Sequence, residues 1–333
     1  MPASLKIPVL PSVKAFREWR QSLDNRSIGF VPTMGALHDG HMKLVDRSLS
    51  ENSLTVVSIF VNPAQFAPHE DLSSYPRTFD GDMRRIHEAV GRDSIDSSET
   101  PKCAVFLPTV EDMYPSGIVQ NIEDQKGTFV QVKGYEEQME GKSRPKFFRG
   151  VATIVTKLFN VVQPTRAYFG QKDIQQGLLL RRMVRDLLIS HPLPENLIIV
   201  PTQREKEDFL ALSSRNAYLT SIERPFAPTL YQALTAGRQV WEEISGSGSR
   251  EGVVAAARGV IKRRQEEAIQ AGVEMRFDYV EVNDPDTFDV VNWRRKERPE
   301  GQPVIISGAL WIGRTRLIDN LLSGDTKEIF NQL

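Results

Sequence analysis

Short apolar runs alternate with longer segments of helical periodicity over the first two hundred residues. The runs 27–31 and 54–61 contain few polar positions, which is typical of strands covered on both faces of a sheet. In residues 148–162 the apolar side chains recur at helical spacing and predict an amphipathic helix. Further helices are predicted at 38–51, 80–90 and 173–188, and further strands at 104–107, 167–169 and 197–200.

Strands and helices in this order favour a parallel sheet with right-handed crossover connections. We therefore predict an α/β fold in which residues 1–200 form a Rossmann-like parallel-sheet domain. After residue 200 the pattern changes to helices at 222–241 and 252–269, separated by a Ser-Gly link at 245–249 and followed by strands at 277–282, 303–311 and 315–318. This second part, residues 201–333, is predicted to be a smaller α+β C-terminal lid domain.

Composition narrows the class of protein. The net charge of −1 and the pI near 6.6 give no overall attraction to nucleic acid or to an anionic membrane. Cys103 is the only cysteine, so the chain has no intrachain disulfide and no cysteine-based metal cage. No apolar run approaches the roughly 20 residues that span a bilayer. We therefore expect a cytoplasmic protein without nucleic-acid or membrane partners.

The most informative polar residues follow the first predicted strand. His38 and His41 come after a glycine turn at Gly35 and stand at the predicted start of a helix. A helix start carries unpaired N–H groups and partial positive charge, so two imidazole donors there would form a phosphate site. Gly40 would leave room for a base or a ribose. The alternatives are ordinary surface histidines or a zinc-binding pair, but no further zinc ligands stand at familiar spacing.

Two amide residues, Asn62 and Gln65, follow the second predicted strand. They would lie at the carboxyl end of that strand, where ligands bind in open α/β sheets. An amide both donates and accepts hydrogen bonds, so Gln65 could hold a hydroxyl and a carboxylate of a small polar substrate. Asn62 followed by proline is also a common turn signal, and for Asn62 alone the turn is the favoured interpretation.

Two later segments carry donors suited to phosphate. Lys172 follows a glycine turn after the strand 167–169; Asp173 is a helix cap or first-turn acid, and Gln176 lies one turn further on. The loop 213–215 (Ser-Ser-Arg) offers hydroxyls, a guanidinium and backbone N–H groups that could clamp a triphosphate. Taken alone, this loop would be an ordinary polar loop with a serine cap.

Four carboxylates follow Gln65 in the sequence, namely Glu70, Asp71, Asp80 and Asp82. A solvated acidic face is the favoured interpretation, and a magnesium contact is the minority one.

Taken together and in this order, these segments resemble the pantothenate synthetase family (pantoate–β-alanine ligases) of the HIGH-motif nucleotidylyltransferase superfamily. The resemblance runs from about Gly29 to Asn320. It is much more specific than the His-x-Gly-His element alone, because it includes the segments 32–41, 58–66, 75–78, 148–153, 158–164, 169–176, 212–219 and 316–320.

The resemblance implies an ATP-dependent ligase. Pantoate and Mg-ATP would form pantoyl adenylate and pyrophosphate, and β-alanine would then displace AMP to give pantothenate. The family is usually a cytoplasmic homodimer. His41 matches the family's proton-donor position and would act with His38 and Lys172 in catalysis. Gln65 and Gln176 match the glutamines that hold pantoate. Asn62, from its position at the end of the strand, is a further candidate for substrate binding. ATP would lie along Met34, Gly35, Ala36, Leu37, His38, Asp39, Gly40, His41, Gly170, Gln171, Lys172, Asp173, Gln203, Leu212, Ser213, Ser214 and Arg215.

The chain departs from the family pattern in a few places. Gln171 stands where relatives usually have glutamate, Phe147 replaces a common histidine, and Phe209 follows Asp208 where glycine is usual. The polar segment 91–102, predicted to be a surface loop, is longer than in bacterial relatives. None of these changes removes a residue with a named chemical role.

Other functions are weaker interpretations of the same residues. A superfamily enzyme acting on a phosphorylated substrate such as phosphopantetheine would need a basic pocket in place of Gln65 and Gln176. A nucleotide sensor or scaffold without catalysis would have no need of intact His38, His41 and Lys172. An RNA-binding role like that of the tRNA synthetases would need a basic surface, which a net charge of −1 does not supply.

Overall fold

The structure is a computed structural model that describes residues 7–23, 25–68, 70–93, 101–243, 249–292 and 301–331. The chain forms two compact units, Met1–Gly170 with Leu179–Val200, and Gln171–Leu178 with Pro201–Leu333. Most of the predicted Ser-Gly link (residues 245–248) and of the predicted loop 91–102 (residues 94–100) lies outside the described residues.

The first unit is built on a six-stranded sheet in which every neighbouring pair of strands is parallel. The strands are β1 (Val9–Leu10), β2 (Ile28–Thr33), β3 (Leu54–Ile59), β4 (Cys103–Phe106), β5 (Arg166–Gly170) and β6 (Leu197–Val200), in the spatial order β1-β4-β3-β2-β5-β6. Thr33 lies opposite Ile59, so β2 and β3 end at the same edge of the sheet. The predicted Rossmann-like α/β fold is confirmed.

Within the described residues, seven α-helices connect these strands. None of the helices in the described part of the chain is long and apolar enough to cross a membrane. The seven helices are α1 (Val13–Gln21), α2 (Asp39–Glu51), α3 (Phe79–Asp93), α4 (Val110–Met113), α5 (Glu140–Ser143), α6 (Phe147–Val162) and α7 (Ile174–Asp186). The last of these begins in the second unit and ends in the first. The helix predicted at 173–188 therefore begins one residue later, after a 3-10 turn at Gln171–Asp173.

Strand β1 has no counterpart among the predicted elements. It contains two residues, and a run that short carries no periodicity from which a strand could be predicted. Its backbone nevertheless pairs with β4, since the Val105 N–H donates to Pro8 O at 2.9 Å and the Leu107 N–H to Leu10 O at 2.9 Å. The edge strand of the sheet is thus a segment that the structure shows but the sequence pattern does not predict.

Helix α6 packs closely on the short 3-10 helix Pro63–Gln65, and Gly150 makes this approach possible. A Cβ atom at Gly150 would lie 2.2 Å from the carbonyl oxygen of Ala64, a backbone atom that cannot rotate away. The apolar face of α6 is buried, including Phe148, Ile154 and Phe159. The loop after β3 is therefore held in place by a helix that tolerates only glycine at this position.

We expect Gly150→Ala to lower the free energy of unfolding by about 1–3 kcal/mol, the usual range for forcing extra atoms into a packed site. The matched control is Gly259→Ala, because a Cβ at Gly259 would meet nothing within 4 Å and the residue lies in a helix. That change should stabilise by up to about 1 kcal/mol, the helix-propensity gain of alanine over glycine. Urea denaturation measures both. Equal effects of the two substitutions would contradict the close approach of α6.

The second unit has a three-stranded antiparallel sheet covered by two helices. The strands are β7 (Met275–Asn283), β8 (Val304–Ile312) and β9 (Thr315–Ser323), and the helices are α8 (Thr229–Glu242) and α9 (Arg250–Gln270). The helix predicted at 222–241 starts only at Thr229, because Pro225 and Pro228 interrupt the earlier turns. Strand β9 continues five residues beyond the predicted Ile318 and carries Asp319 and Asn320.

Candidate active site

In the first unit, the loop after β2 turns sharply into α2. Gly35 has φ +83° and Ala36 has φ +50°, so two consecutive residues occupy the left-handed region. Thr33 closes the turn, since its Oγ1 accepts the Gly35 N–H at 3.2 Å. Leu37, the next residue, is buried at 6% exposure. The predicted glycine turn and helix start are confirmed.

His38 and His41 cap the start of α2 in a reciprocal arrangement. The Nδ1 of His38 accepts the Gly40 N–H at 3.1 Å, and the Nδ1 of His41 accepts the His38 N–H at 3.4 Å. The two rings lie 4.0 Å apart between centroids. Because both Nδ1 atoms are acceptors, the neutral rings carry their protons on Nε2. Two N–H donors of defined tautomer therefore stand at a helix start, where anions bind.

Asp82 holds the turn from behind. Its side chain is 2% exposed, and its Oδ2 and Oδ1 accept the backbone N–H groups of Ala36 at 3.1 Å and of Leu37 at 2.8 Å. Thr78 also donates its hydroxyl to Oδ1, at 3.1 Å. A solvated acidic face was therefore the wrong interpretation for Asp82. Its carboxylate is occupied by backbone donors, which explains how two left-handed residues are kept in place.

Asp82→Asn should lower the free energy of unfolding by about 1–3 kcal/mol, because the new NH2 group would face a backbone N–H and leave it unpaired. The KM for ATP should rise while the KM for β-alanine stays within twofold. Asp80→Asn serves as the control, since Asp80 is exposed in the first turn of the same helix. Steady-state kinetics with thermal denaturation would test this, and identical behaviour of the two variants would argue against the role of Asp82.

The acidic-face interpretation was also wrong for Glu70. Its carboxylate forms a two-point ion pair with Arg144, with Nε–Oε1 at 2.7 Å and Nη2–Oε2 at 2.9 Å. Arg144 also donates to the carbonyl oxygen of Gln65 at 3.2 Å. Both side chains are 17% exposed. This pair therefore fixes the backbone of the loop that carries Gln65, and a planar guanidinium is well suited to such a two-point contact.

Gln65 and Asn62 lie together at the end of β3. The Nδ2 of Asn62 donates to Gln65 Oε1 at 3.1 Å, and the Nε2 of Gln65 donates to Met34 Sδ at 3.1 Å. Asn62 is 1% exposed and also caps the 3-10 helix through the Ala64 N–H. These contacts agree with the turn interpretation that is favoured for Asn62 alone, and the substrate contact of Asn62 stays a prediction. Gln65 is half-buried and lies beside the turn that carries Met34.

In the second unit, Asn320 on β9 holds the segment that carries Lys172. Its Nδ2 donates to the carbonyl oxygens of Gln171 and Lys172, both at 2.9 Å, and its Oδ1 accepts from Gln171 Nε2 at 3.2 Å. The Nζ of Lys172 lies 3.4 Å from the carboxylate of Asp173. The side chain of Gln171, expected at a nucleotide site, is thus committed to the protein interior, and Gln176 lies half-buried in the first turn of α7.

The Ser-Ser-Arg loop follows a small hairpin in which Arg204 pairs with Ala211 and the Leu212 N–H donates to Gln203 O at 3.0 Å. Ser213 caps the 3-10 helix Ser214–Tyr218, accepting the Arg215 N–H at 3.3 Å. The hairpin is attached to β9 by a two-point ion pair between Arg204 and Asp319, at 2.6 and 2.8 Å. Neighbouring residues of one strand, Asp319 and Asn320, therefore hold both the Lys172 segment and the serine hairpin.

Phe209 shows how the chain accommodates a departure from its family pattern. It has φ +62°, a conformation that glycine adopts freely and other residues rarely. Its ring is 52% exposed but stacks on Tyr231, with centroids 5.4 Å apart and planes 19° apart. The aromatic contact, about 0.5–1.5 kcal/mol, offsets part of the cost of such a conformation, which is about 1–3 kcal/mol.

The sequence does not identify a set of metal ligands. In the described part of the chain no group of three or more His, Cys, Asp or Glu side chains could hold a metal ion. Both oxygens of Asp82 are occupied by donors, and Asp39 forms an ion pair with Arg85 at 2.7 Å. These carboxylates do not form the oxygen cage that a resident divalent cation needs.

A parallel α/β sheet with two fixed imidazole donors at a helix start is the arrangement of a Rossmann-like nucleotide-binding enzyme. Comparison with known proteins makes the assignment more specific. The model of the pantoate–β-alanine ligase family matches residues 8–322. A pantothenate synthetase of Moorella thermoacetica is 43% identical over 316 residues, covering 94% of this chain and 98% of the relative.

Solved structures agree with this result. A pantothenate synthetase from Thermus thermophilus has a TM-score of 0.72 at 40% identity, covering 97% of this chain and 100% of the other. A Francisella tularensis pantoate–β-alanine ligase, complexed with β-γ ATP and β-alanine, has a TM-score of 0.67 at 30% identity, covering 96% and 100%. The chain belongs to the pantoate–β-alanine ligase family, a family of ligases.

Proposed function

We propose that this chain joins pantoate to β-alanine in two steps that consume ATP, with His38 and His41 as the central phosphate donors. In the first step a carboxylate oxygen of pantoate attacks the α-phosphorus of ATP, and the bond to pyrophosphate breaks. In the second, the amine of β-alanine attacks the acyl carbon of pantoyl adenylate, a C–N bond forms and AMP leaves. The observation that carries the proposal is the pair of N–H···Nδ1 hydrogen bonds at the start of α2, from which we infer that both neutral rings carry the proton on Nε2.

The histidines fit the first step because charge moves toward the phosphate oxygens as the bond to pyrophosphate breaks. Neutral imidazoles that present Nε2–H donors can stabilise this charge without reorganisation. The Asp82 contacts keep the turn rigid while the reaction proceeds. Positioning and electrostatics are the main contributions of a protein to phosphoryl-type transfers. His41 would also donate a proton, as its match to the family position implies.

The second unit would bind the outer phosphates. Lys172 supplies an ammonium, and the Ser213–Arg215 segment supplies hydroxyls, a guanidinium and backbone N–H groups. ATP would contact the residues that the family resemblance assigns to it, from Met34 to His41, from Gly170 to Asp173, and at Gln203 and Leu212. The division of labour expected from sequence, in which residues 1–200 bind ATP and pantoate and residues 201–333 act as a lid, remains a prediction.

Pantoate would be held by Gln65 and Gln176. Both are uncharged amides, so they can hold hydroxyl and carboxylate groups without an ion pair that would reduce the nucleophilicity of the carboxylate. Magnesium would enter as the Mg-ATP complex and partly neutralise the triphosphate charge. The absence of a carboxylate cage among the described residues fits a cation that is carried by the nucleotide. A cytoplasmic homodimer is proposed from the family resemblance alone.

Isotope exchange tests this function directly. The purified protein with Mg²⁺, ATP and labelled pyrophosphate should form labelled ATP only when pantoate is present, and AMP should accumulate only after β-alanine is added. Exchange that is independent of pantoate, or its absence with pantoate at saturating concentration, would overturn the proposal. Phosphopantetheine in place of pantoate tests the alternative enzyme of the superfamily and should support no exchange.

A further inference from the structure

Tyr114 lies at the end of α4 with 3% of its surface exposed, and its hydroxyl donates to Asn62 Oδ1 at 2.6 Å. The same oxygen accepts the Ala64 N–H at 3.3 Å. The Nδ2 of Asn62 donates to Gly150 O at 3.2 Å and to Gln65 Oε1 at 3.1 Å. Neither the sequence pattern nor the family resemblance singles out this tyrosine for a role at the site.

The orientation of the Asn62 amide is determined by its backbone partners. The Ala64 N–H can only donate and the Gly150 carbonyl can only accept, so the oxygen must face Ala64 and the NH2 group must face Gly150. The Tyr114 hydroxyl reinforces this orientation as a second donor to the oxygen. In the opposite orientation, NH2 would face N–H and carbonyl would face carbonyl, which leaves buried polar groups unpaired.

The orientation of the Asn62 amide determines the orientation of the Gln65 amide. Because Asn62 presents an N–H to Gln65, the Gln65 oxygen is used as an acceptor inside the protein. The NH2 group of Gln65 is then on the other side, where its protein partner is the thioether of Met34, a weak acceptor. Gln65 therefore presents donors, and the group it suits best is an acceptor such as a carboxylate or a hydroxyl lone pair.

We propose that Tyr114 is a positioning residue that acts through Asn62 to fix the Gln65 amide with its NH2 group toward the bound hydroxy acid. The proposal rests on the role of Gln65 in the proposed function. In this orientation Gln65 binds hydrogen-bond acceptors of the substrate. An amide that was free to rotate could bind donors as well.

The surroundings of Tyr114 keep its hydroxyl a donor. Burial raises the pKa of Tyr114 well above its usual value, and this outweighs the opposing effects of the Asn62 hydrogen bond and the charge of Arg149. The Nζ of Lys157 lies 4.0 Å from the centre of the Tyr114 ring and donates to Met113 O at 2.7 Å. The phenol is therefore protonated at any pH at which the enzyme would be assayed.

Tyr114→Phe removes only the hydroxyl, and Tyr168→Phe is its matched control. Tyr168 is also buried, and its hydroxyl bonds to Glu51 and Asn52 rather than to Asn62. In pantoate-dependent exchange, Tyr114→Phe should raise the KM for pantoate about tenfold, as expected for one hydrogen bond, and leave the KM for ATP unchanged. Tyr168→Phe should change neither KM. An equal response of the two variants would overturn the proposal.

A double-mutant cycle tests the route through Gln65. In a Gln65→Ala background, Tyr114→Phe should have no further effect on the KM for pantoate, because the amide it orients is gone. Additive effects would show that Tyr114 acts by another route and would contradict the proposal. Wild-type protein that shows no pantoate-dependent exchange would instead refute the proposed function itself, so the two failures are distinguishable.

If the Tyr114→Phe variant does not fold, a measurement on the wild-type protein still tests the proposal. The side-chain ¹⁵N–¹H signals of Gln65, assigned by their loss in Gln65→Ala, should shift when pantoate is added. Gln65 NH2 signals that do not respond to pantoate would overturn the proposal without any use of the tyrosine variant.

Discussion

Replacing His41 by alanine is expected to lower the rate of pantoate-dependent exchange about 10²–10³-fold, the usual scale for losing one preorganised donor to a developing charge. The reason lies in how the ring is held. Its Nδ1 accepts the His38 N–H, so in the neutral ring the opposite nitrogen carries the proton, and this N–H is the donor that the proposed function assigns to phosphate. Alanine removes this donor and also one partner of the helix cap. The loss of the cap should lower stability by only about 1 kcal/mol.

The control for this experiment is His87→Ala, because His87 is exposed on α3 and is far in sequence from the cap. It should exchange at the wild-type rate. Thermal denaturation of both variants shows whether a loss of exchange activity comes from the missing donor or from unfolding. A His41→Ala variant that keeps more than a tenth of the exchange activity would mean that His41 mainly caps the helix.

The second large effect is expected at Asp319. Replacing it by alanine should lower the free energy of unfolding by about 3–5 kcal/mol, since it leaves the Arg204 guanidinium buried without its partner. Arg204 and Asp319 are 14% and 4% exposed, so water cannot replace the carboxylate. The same change should raise the KM for ATP, because the Arg204 hairpin leads directly into the Ser213–Arg215 segment.

Glu123→Ala provides the comparison, since the Glu123–Lys146 pair is 3.1 Å long but its side chains are 80% and 52% exposed. Exposed pairs contribute about 0–1 kcal/mol, so this variant should unfold almost like the wild type. Chemical denaturation of the two variants gives the difference directly. A loss below about 1 kcal/mol in Asp319→Ala would mean that the hairpin is held mainly by its other contacts.

Much of the fold could be predicted from sequence because its strands are apolar on both faces and its longer helices have a clear period. Residues 54–61 show the apolar pattern of a covered strand, and residues 148–162 show the period of a helix. The strand and the helix found there begin and end within two residues of the prediction. The helix predicted from residue 222 begins only at Thr229, because the apolar pattern continues through Pro225 and Pro228 but the helical backbone does not. At this position the two prolines predict the start of the helix better than the apolar pattern does.

Only part of the candidate site could be predicted from the sequence. His38, His41 and Lys172 could be predicted because they follow strands directly, where parallel sheets place ligand-binding residues. Asp82, Arg204 and Asp319 could not, since their role lies in contacts with distant segments; Arg204 and Asp319 are 115 residues apart. A local signal exists for Asp82 alone: Thr78 stands four residues earlier, just before the predicted helix at 80–90, where its hydroxyl can reach the Asp82 carboxylate. This signal indicates a hydrogen bond but not the contacts of Asp82 with Ala36 and Leu37.

The two-residue strand β1 has a practical consequence for handling this protein. All four residues of its neighbour β4 are buried and apolar, so β4 without β1 would be an open edge of the kind that recruits strands from other molecules. Versions of the chain shortened beyond Leu10 should therefore be lost to aggregation during expression, even though every residue of the candidate site would still be present. A two-residue strand that contributes no residue to the candidate site would then decide whether the enzyme can be purified at all.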